Sequence, residues 1–286
     1  MSTPTAEDGR TTSRGNSFAG DVWVNFKRWT LKSVRNPFVL VGSFVQPIVF
    51  LVLFTEVFGN VAGQALPGGI AYETYLVPAI VIQVALAAAA TSGVGLVNDI
   101  ENGMFEKVLV SPMNRTAVFL GKTISELLRI AVQIVMILGL GILLGAEIAT
   151  GVVGAVGIVV VGIVFSLWFI AFSNALALIT EDQESTIIGA NLLQFPLLFV
   201  SSAFLPLSSL PEWIQTVAAV NPITYGVDAA RAIILDADVM EVWEVTAFEG
   251  IWNTVVPAVG VLLVLDLLLG AVAVYLIGRT TSSKVQ

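Results

Sequence analysis

Gly121-Lys122-Thr123 sets a glycine, a lysine and a hydroxyl side by side, as at the end of a phosphate-binding loop. The complete pattern needs another glycine five positions earlier and a strand leading into it. That earlier position is Thr116, and no strand precedes it, so no nucleotide is cradled by this route. Asp266 is a second candidate, in the middle of VLLVLDLLLG. A carboxylate at the centre of a bilayer costs about 2.5–3.5 kcal/mol on insertion scales, so it must face protein or water. It is either a contact to substrate or a relay, or else a protonated or hydrogen-bonded acid against a neighbouring helix. Gln46, Gln83, Gln133, Asn174, Asn191 and Gln194 are milder polar insertions, whose ordinary role is hydrogen bonding between helices. With 0 His and 0 Cys, the chain has no Ser/His/Asp or Cys/His set and no thiolate metal site. The acids cluster in loops, so no catalytic residue, cofactor site or metal site is assigned.

The elements that carry these residues are membrane elements. Hydrophobic residues make up 56% of the chain and charged ones 12%, with a mean hydropathy of +0.90. Soluble domains carry roughly twice that share of charge. At about 20 residues per crossing, 286 residues hold six or so spans and little else. The expected fold is therefore all-α and polytopic, with six transmembrane helices over 38–58, 74–97, 123–145, 151–179, 187–205 and 252–277. Small residues Ala85, Ala87 to Ala90, Ser92, Gly93 and Gly95 let the second span approach its neighbours closely. Glu126 and Arg129, three apart on the third span, can pair.

Residues 1–20 are rich in Ser, Thr and Gly and read as a disordered tail without the apolar core of a signal peptide. Over 21–35, Trp23, Phe26 and Trp29 recur at helical spacing opposite cations, which suits an interfacial helix. The stretch 98–122 is a polar island between two apolar runs, with Lys107, Arg115 and Lys122 and a break at Pro112. Cationic loops stay in the cytoplasm. With six spans, the Lys and Arg residues fall inside or at the inner boundary, and only Arg231 lies outside. Both termini are then cytoplasmic, and 280–286 is a short tail. Before the last span, Pro206, Pro211 and Pro222 divide a stretch whose apolar pieces are too short to cross, which reads as two short external or re-entrant helices over 206–235. The net charge of −8 fits either a surface adapted to high salt, haloarchaeal-like, or an ordinary acidic external face.

Two blocks carry a family resemblance. The first is Glu101, Gly103, Glu106, Leu109, Val110, Ser111, Pro112, Arg115, Gly121 and Lys122. The second is Ser202, Ala203, Phe204, Pro206, Leu210, Pro211, Trp213, Asn221, Pro222, Thr224, Tyr225, Asp228, Ala229 and Arg231. In this order and at these places the chain resembles the membrane subunit of ABC-2 exporters over 21–279. It is most similar there to daunorubicin-resistance and nodulation-factor export permeases. Ala203 departs from the family's usual glycine.

The resemblance implies a plasma-membrane permease that is not itself an enzyme. It implies a homodimer docked to two copies of a separate ATPase subunit, which binds the ATP and Mg, with no nucleic-acid partner. Residues 21–35 become an elbow helix, and 98–122 a coupling loop with Glu101, Phe105, Glu106, Pro112 and Arg115 at the ATPase. Pro206, Pro211, Trp213, Asn221, Pro222, Tyr225 and Arg231 become an external cap. Gln46, Gln83, Asn191, Gln194 and Asp266 are the candidates to line the path. The rival reading is an ion- or proton-coupled transporter or channel built on Asp266. Such folds often pair broken helices in two repeats, and this sequence has a single broken region.

Overall fold

The computed structural model describes residues 17–35, 37–65, 70–104, 107, 111–240, 242–243 and 245–283, with backbone alone at 37–40, 60–65, 115, 274 and 276–283. Phe105 and Glu106 lie outside the described residues. Among the described residues, nine α-helices follow in order: α1 Phe18–Val34, α2 Pro37–Ala65, α3 Tyr72–Glu101, α4 Arg115–Leu143, α5 Gly151–Thr180, α6 Gln183–Phe199, α7 Glu212–Ala218, α8 Pro222–Leu235 and α9 Trp252–Ser283. A 3-10 turn, Leu207–Ser209, stands before α7. Among the described residues there is no strand, and the chain is an all-α polytopic membrane protein.

Among the described residues, five helices are long and apolar enough to cross a membrane, namely α2, α3, α4, α5 and α9. The remaining expected span, 187–205, is α6, which has 17 residues and so reaches about 26 Å. Its chain continues through irregular backbone over 200–206. Asp182 caps α6 by accepting from the Ser185 N–H at 2.7 Å, and that bond holds its carboxyl below the usual carboxylate range.

The small residues of α3 place it at the centre. Its span is 78% buried, whereas the spans in α2 and α9 are 11% and 17% buried and form the periphery. α3 packs on α2, α4, α5, α6 and α8. Gly93 makes the closest approach. Its N–H reaches Ser173 Oγ of α5 at 2.9 Å, and a Cβ there would overlap the Ser173 carbonyl.

Several boundaries differ from the sequence reading. Of the tail expected over 1–20, residues 1–16 lie outside the described residues, and Phe18–Gly20 already form the first turn of α1, capped by Ser17 Oγ accepting from Gly20 N–H at 3.2 Å. At the other end α9 runs through Ser283, over most of the expected tail. The second half of the polar island is helix: Asn114 caps α4 by accepting from the Ala117 N–H at 3.3 Å, so Arg115 to Lys122 are its first turns.

The stretch 206–235 divides into two unlike pieces. α7 is on the surface, with Trp213 64% exposed. α8 is buried throughout from Ile223 to Ile234, packed against α3, α5 and α9. Its start is fixed by Pro222 at the first turn and by Asn221, whose Oδ1 accepts from the Ile223 N–H at 3.0 Å.

Candidate functional site

A cavity of about 780 Å³ lies between α1, α2, α3, α4 and α6. Gln46 of α2, Gln83 of α3, and Asn191 and Gln194 of α6 all line it, and Gln133 of α4 joins them. Five amides from four helices therefore meet around one cavity. Gln46 stands one residue before the proline of α2, Pro47, which lines the same cavity and is itself buried. Gln133 Nε2 donates to Ser43 Oγ at 2.7 Å, tying α4 to α2. Asp266 is elsewhere. It is half-buried on α9, near the Trp168 backbone of α5, and neither carboxyl oxygen has a hydrogen-bond partner among the described residues.

Behind the cavity is a buried ionic cluster that the sequence did not announce. Lys122, one of the cations of the polar island, is 2% exposed. Its ammonium donates to Glu126 Oε1 at 2.7 Å, Ser92 Oγ at 2.7 Å, the Ser92 carbonyl at 3.1 Å and Asn174 Oδ1 at 2.9 Å. Ser92 Oγ donates onward to Glu126 Oε2 at 2.8 Å. Burial of an ammonium is tolerable only with such full pairing. The expected partnership of Glu126 with Arg129 gives way to this one. Arg129 Nη2 turns instead to the Ala88 carbonyl and Thr91 Oγ1 of α3, each at 3.0 Å. The signals were the four-residue spacing of Lys122 and Glu126 and the small residues around Ser92. Which helix faces would meet was not readable from them.

α1 is bound to the same cluster. Trp29, expected at the interface with Trp23 and Phe26, faces the protein at 7% exposure while Trp23 is 63% exposed. The buried face is Asp21, Asn25 and Trp29. The Trp29 ring is met by Lys32 at 4.6 Å and by Arg28 and Lys122 at 5.2 Å. Its electron-rich face and these cations attract one another. Asp99 of α3 pairs with Arg28 at 3.0 Å and Lys32 at 2.9 Å. Asp21 Oδ2 accepts from the Asn114 N–H at 2.9 Å, just ahead of α4. Gly121 of α4 lets the α1 backbone at Val22 and Phe26 come into contact.

Of the island residues, Glu101 is exposed at the end of α3 and accepts from Gln183 of α6. Pro112 is exposed in a turn, and Arg115 opens α4, its side chain outside the described residues. At the opposite end of α3, Arg231 is 3% exposed, not a surface cation. It lies 3.7 Å from the centre of the Tyr75 ring, pairs with Asp228 at 3.5 Å and donates to the Ser202 and Ala203 carbonyls at 2.9 and 3.2 Å. Asn221 Nδ2 donates to the Leu197 and Val200 carbonyls at the end of α6. Tyr225 OH donates to the Ala219 carbonyl. Pro206 precedes the 3-10 turn and Pro211 precedes α7. Among the described residues no group of three acids could hold a metal.

Residues 20–235 match the family described as ABC-2 type transporter. The chain belongs to this family. It is 28% identical over 198 residues to the daunorubicin resistance ABC transporter permease protein DrrB1 of Streptomyces coeruleorubidus, covering 69% of each chain. It is 25% identical over 223 residues to a Mycobacterium tuberculosis protein named "Probable doxorubicin resistance ABC transporter permease protein DrrC", covering 78% of this chain and 80% of that one. The cavity, the buried cluster and α8 thus belong to an ABC-2 type membrane permease, and all lie in or beside the matched residues.

Proposed function

We propose that the chain is the permease subunit of an ATP-driven exporter in the plasma membrane, with both termini in the cytoplasm. Two copies assemble side by side, each docked to a separate ATPase subunit that binds the ATP and Mg. The coupling surface is 98–122, with Glu101, Phe105, Glu106, Pro112 and Arg115 at the ATPase. The observation that carries the reading is the meeting of Gln46, Gln83, Asn191 and Gln194 on one cavity whose walls include α3 and α4, which that loop connects, and α1, which Asp21 ties to Asn114 in it. Movement of the loop would shift the Lys122–Glu126 cluster, and with it the cavity wall. α7 and the turns at Pro206 and Pro211 cap the outer side, over α8. The relatives are named for daunorubicin and doxorubicin resistance, and amphipathic cargo is the substrate class we carry over.

A secondary transporter built on Asp266 is the alternative. Its position on α9, off the cavity wall, favours the exporter. The test is reconstitution in proteoliposomes with and without a partner ATPase subunit. Export should need ATP, be sensitive to vanadate and stop when the ATPase is omitted. Cargo moved by this chain alone overturns the reading. Glu106→Arg should leave the protein folded and ATP hydrolysis present while transport falls by about tenfold or more, the effect of a lost charge contact at an interface. Unchanged transport in that variant removes Glu106 from the coupling surface.

A further inference from the structure

Three charged residues line the cavity, Lys32, Glu126 and Arg129. Lys32 is engaged by Asp99 and Asn98, and Glu126 by Lys122 and Ser92. Arg129 has no carboxylate within salt-bridge distance among the described residues. Its bonds go to one carbonyl and one hydroxyl, both through Nη2, and its Nε has no partner. Around it, among the described residues, Arg28 and Lys32 share one carboxylate, Asp99, and Lys122 takes Glu126. Uncompensated positive charge inside a membrane is expensive, and an anion relieves it.

The rest of the wall fixes what kind of anion. Gln46 and Asn191 offer amide donors. The wall also includes Ile187 and Phe195 of α6, which are 45% and 42% exposed and open onto the apolar outer face of the bundle. That rim suits an acyl or other apolar tail while the charged end sits inside. We propose that the cavity binds an anionic amphiphile, a phosphate- or carboxylate-bearing headgroup on an apolar tail, with Arg129 as the residue that holds its charge. The proposal rests on the exporter reading in treating this cavity as the cargo site.

The test measures binding to the purified full chain in neutral detergent, using dioctanoyl phosphatidic acid, dioctanoyl phosphatidylcholine, dodecyltrimethylammonium and inorganic phosphate as probes. Phosphatidic acid should bind about tenfold tighter than phosphatidylcholine, the worth of one charge-assisted hydrogen bond. Arg129→Gln should remove that preference by weakening phosphatidic acid much more than phosphatidylcholine, whose single phosphate charge is offset by its own choline, and Arg129→Lys should retain most of it. Should Arg129→Gln fail to give folded protein, Gln46→Glu supplies the second arm, because a carboxylate on the wall should weaken the acidic lipid selectively. Equal affinity for the acidic and zwitterionic lipids, preference for the cationic amphiphile, or an acidic-lipid affinity that neither variant changes overturns the proposal. Competition by inorganic phosphate as strong as by the lipid reassigns the site to a soluble anion and overturns the amphiphile. ATP-driven transport by a protein that fails this test would leave the exporter reading standing, so the two failures are separable.

Discussion

Lys122 shows how far a single side chain departs from its local sequence context. In sequence it is one of several cations on a polar segment. In the fold it is a buried ion with four hydrogen-bond acceptor contacts from three helices. Removing one partner of such a pair leaves the other charge buried and alone, at about 3–5 kcal/mol, whereas removing both is far milder. Lys122→Met should therefore lower the stability of the folded protein by about that amount, read from thermal or denaturant unfolding in detergent. Lys122→Met with Glu126→Gln should recover most of the loss, because no net charge then remains unpaired. A double variant as unstable as the single one would show that the shape of the cluster matters more than its charge. The four-residue spacing was legible in the sequence. The contribution of Asn174, 52 residues away, was not.

At the scale of elements, the contact between α3 and α5 depends on an absent side chain. Gly93 sits against the Ser173 carbonyl, where backbone has no room to yield. Gly93→Ala should push the two helices apart and destabilise the protein by about 1–3 kcal/mol or more, as overpacking does. Gly260→Ala on α9 is the control, since nothing lies within 4 Å of its added methyl. There the better helix propensity of alanine should leave stability equal or raised by up to about 1 kcal/mol. Unfolding midpoints for the two variants should move apart, and a shared response would remove close packing as the cause. The run of small residues in α3 announced such an approach, but its partner helix came from the fold. α1 teaches the same point. Its aromatics were legible, yet Trp29 turned inward because the Asp21, Asn25 and Trp29 face had a matching surface on α3 and α4 and the Trp23 face did not.

For the whole molecule, the distribution of Lys and Arg sets a direction across the membrane. A chain with 0 Cys permits a clean check. Ser111→Cys in the α3–α4 connection should react with an impermeant thiol reagent only after the inner face is opened. Trp213→Cys on the exposed α7 should react in intact cells. The reverse pattern, or labelling of both from one side, would invert or abolish the proposed orientation. The sparsely buried α2 and α9 leave broad apolar surfaces at the periphery.

The sequence by itself determined the membrane class, five of the six expected spans and the family, because hydropathy, proline breaks and two ordered motif blocks are properties of contiguous residues. It also picked out the polar residues that interrupt apolar runs, since each stands against its own neighbours. Only the tertiary structure decided which of them share a cavity, that Asp266 stands apart from it, that Lys122 and Arg231 are buried ions, and that α8 lies inside the bundle. Those outcomes depend on which helix faces meet across long separations in the chain. In a lipid environment that choice is made by close packing and hydrogen bonding between helices, which no single segment encodes.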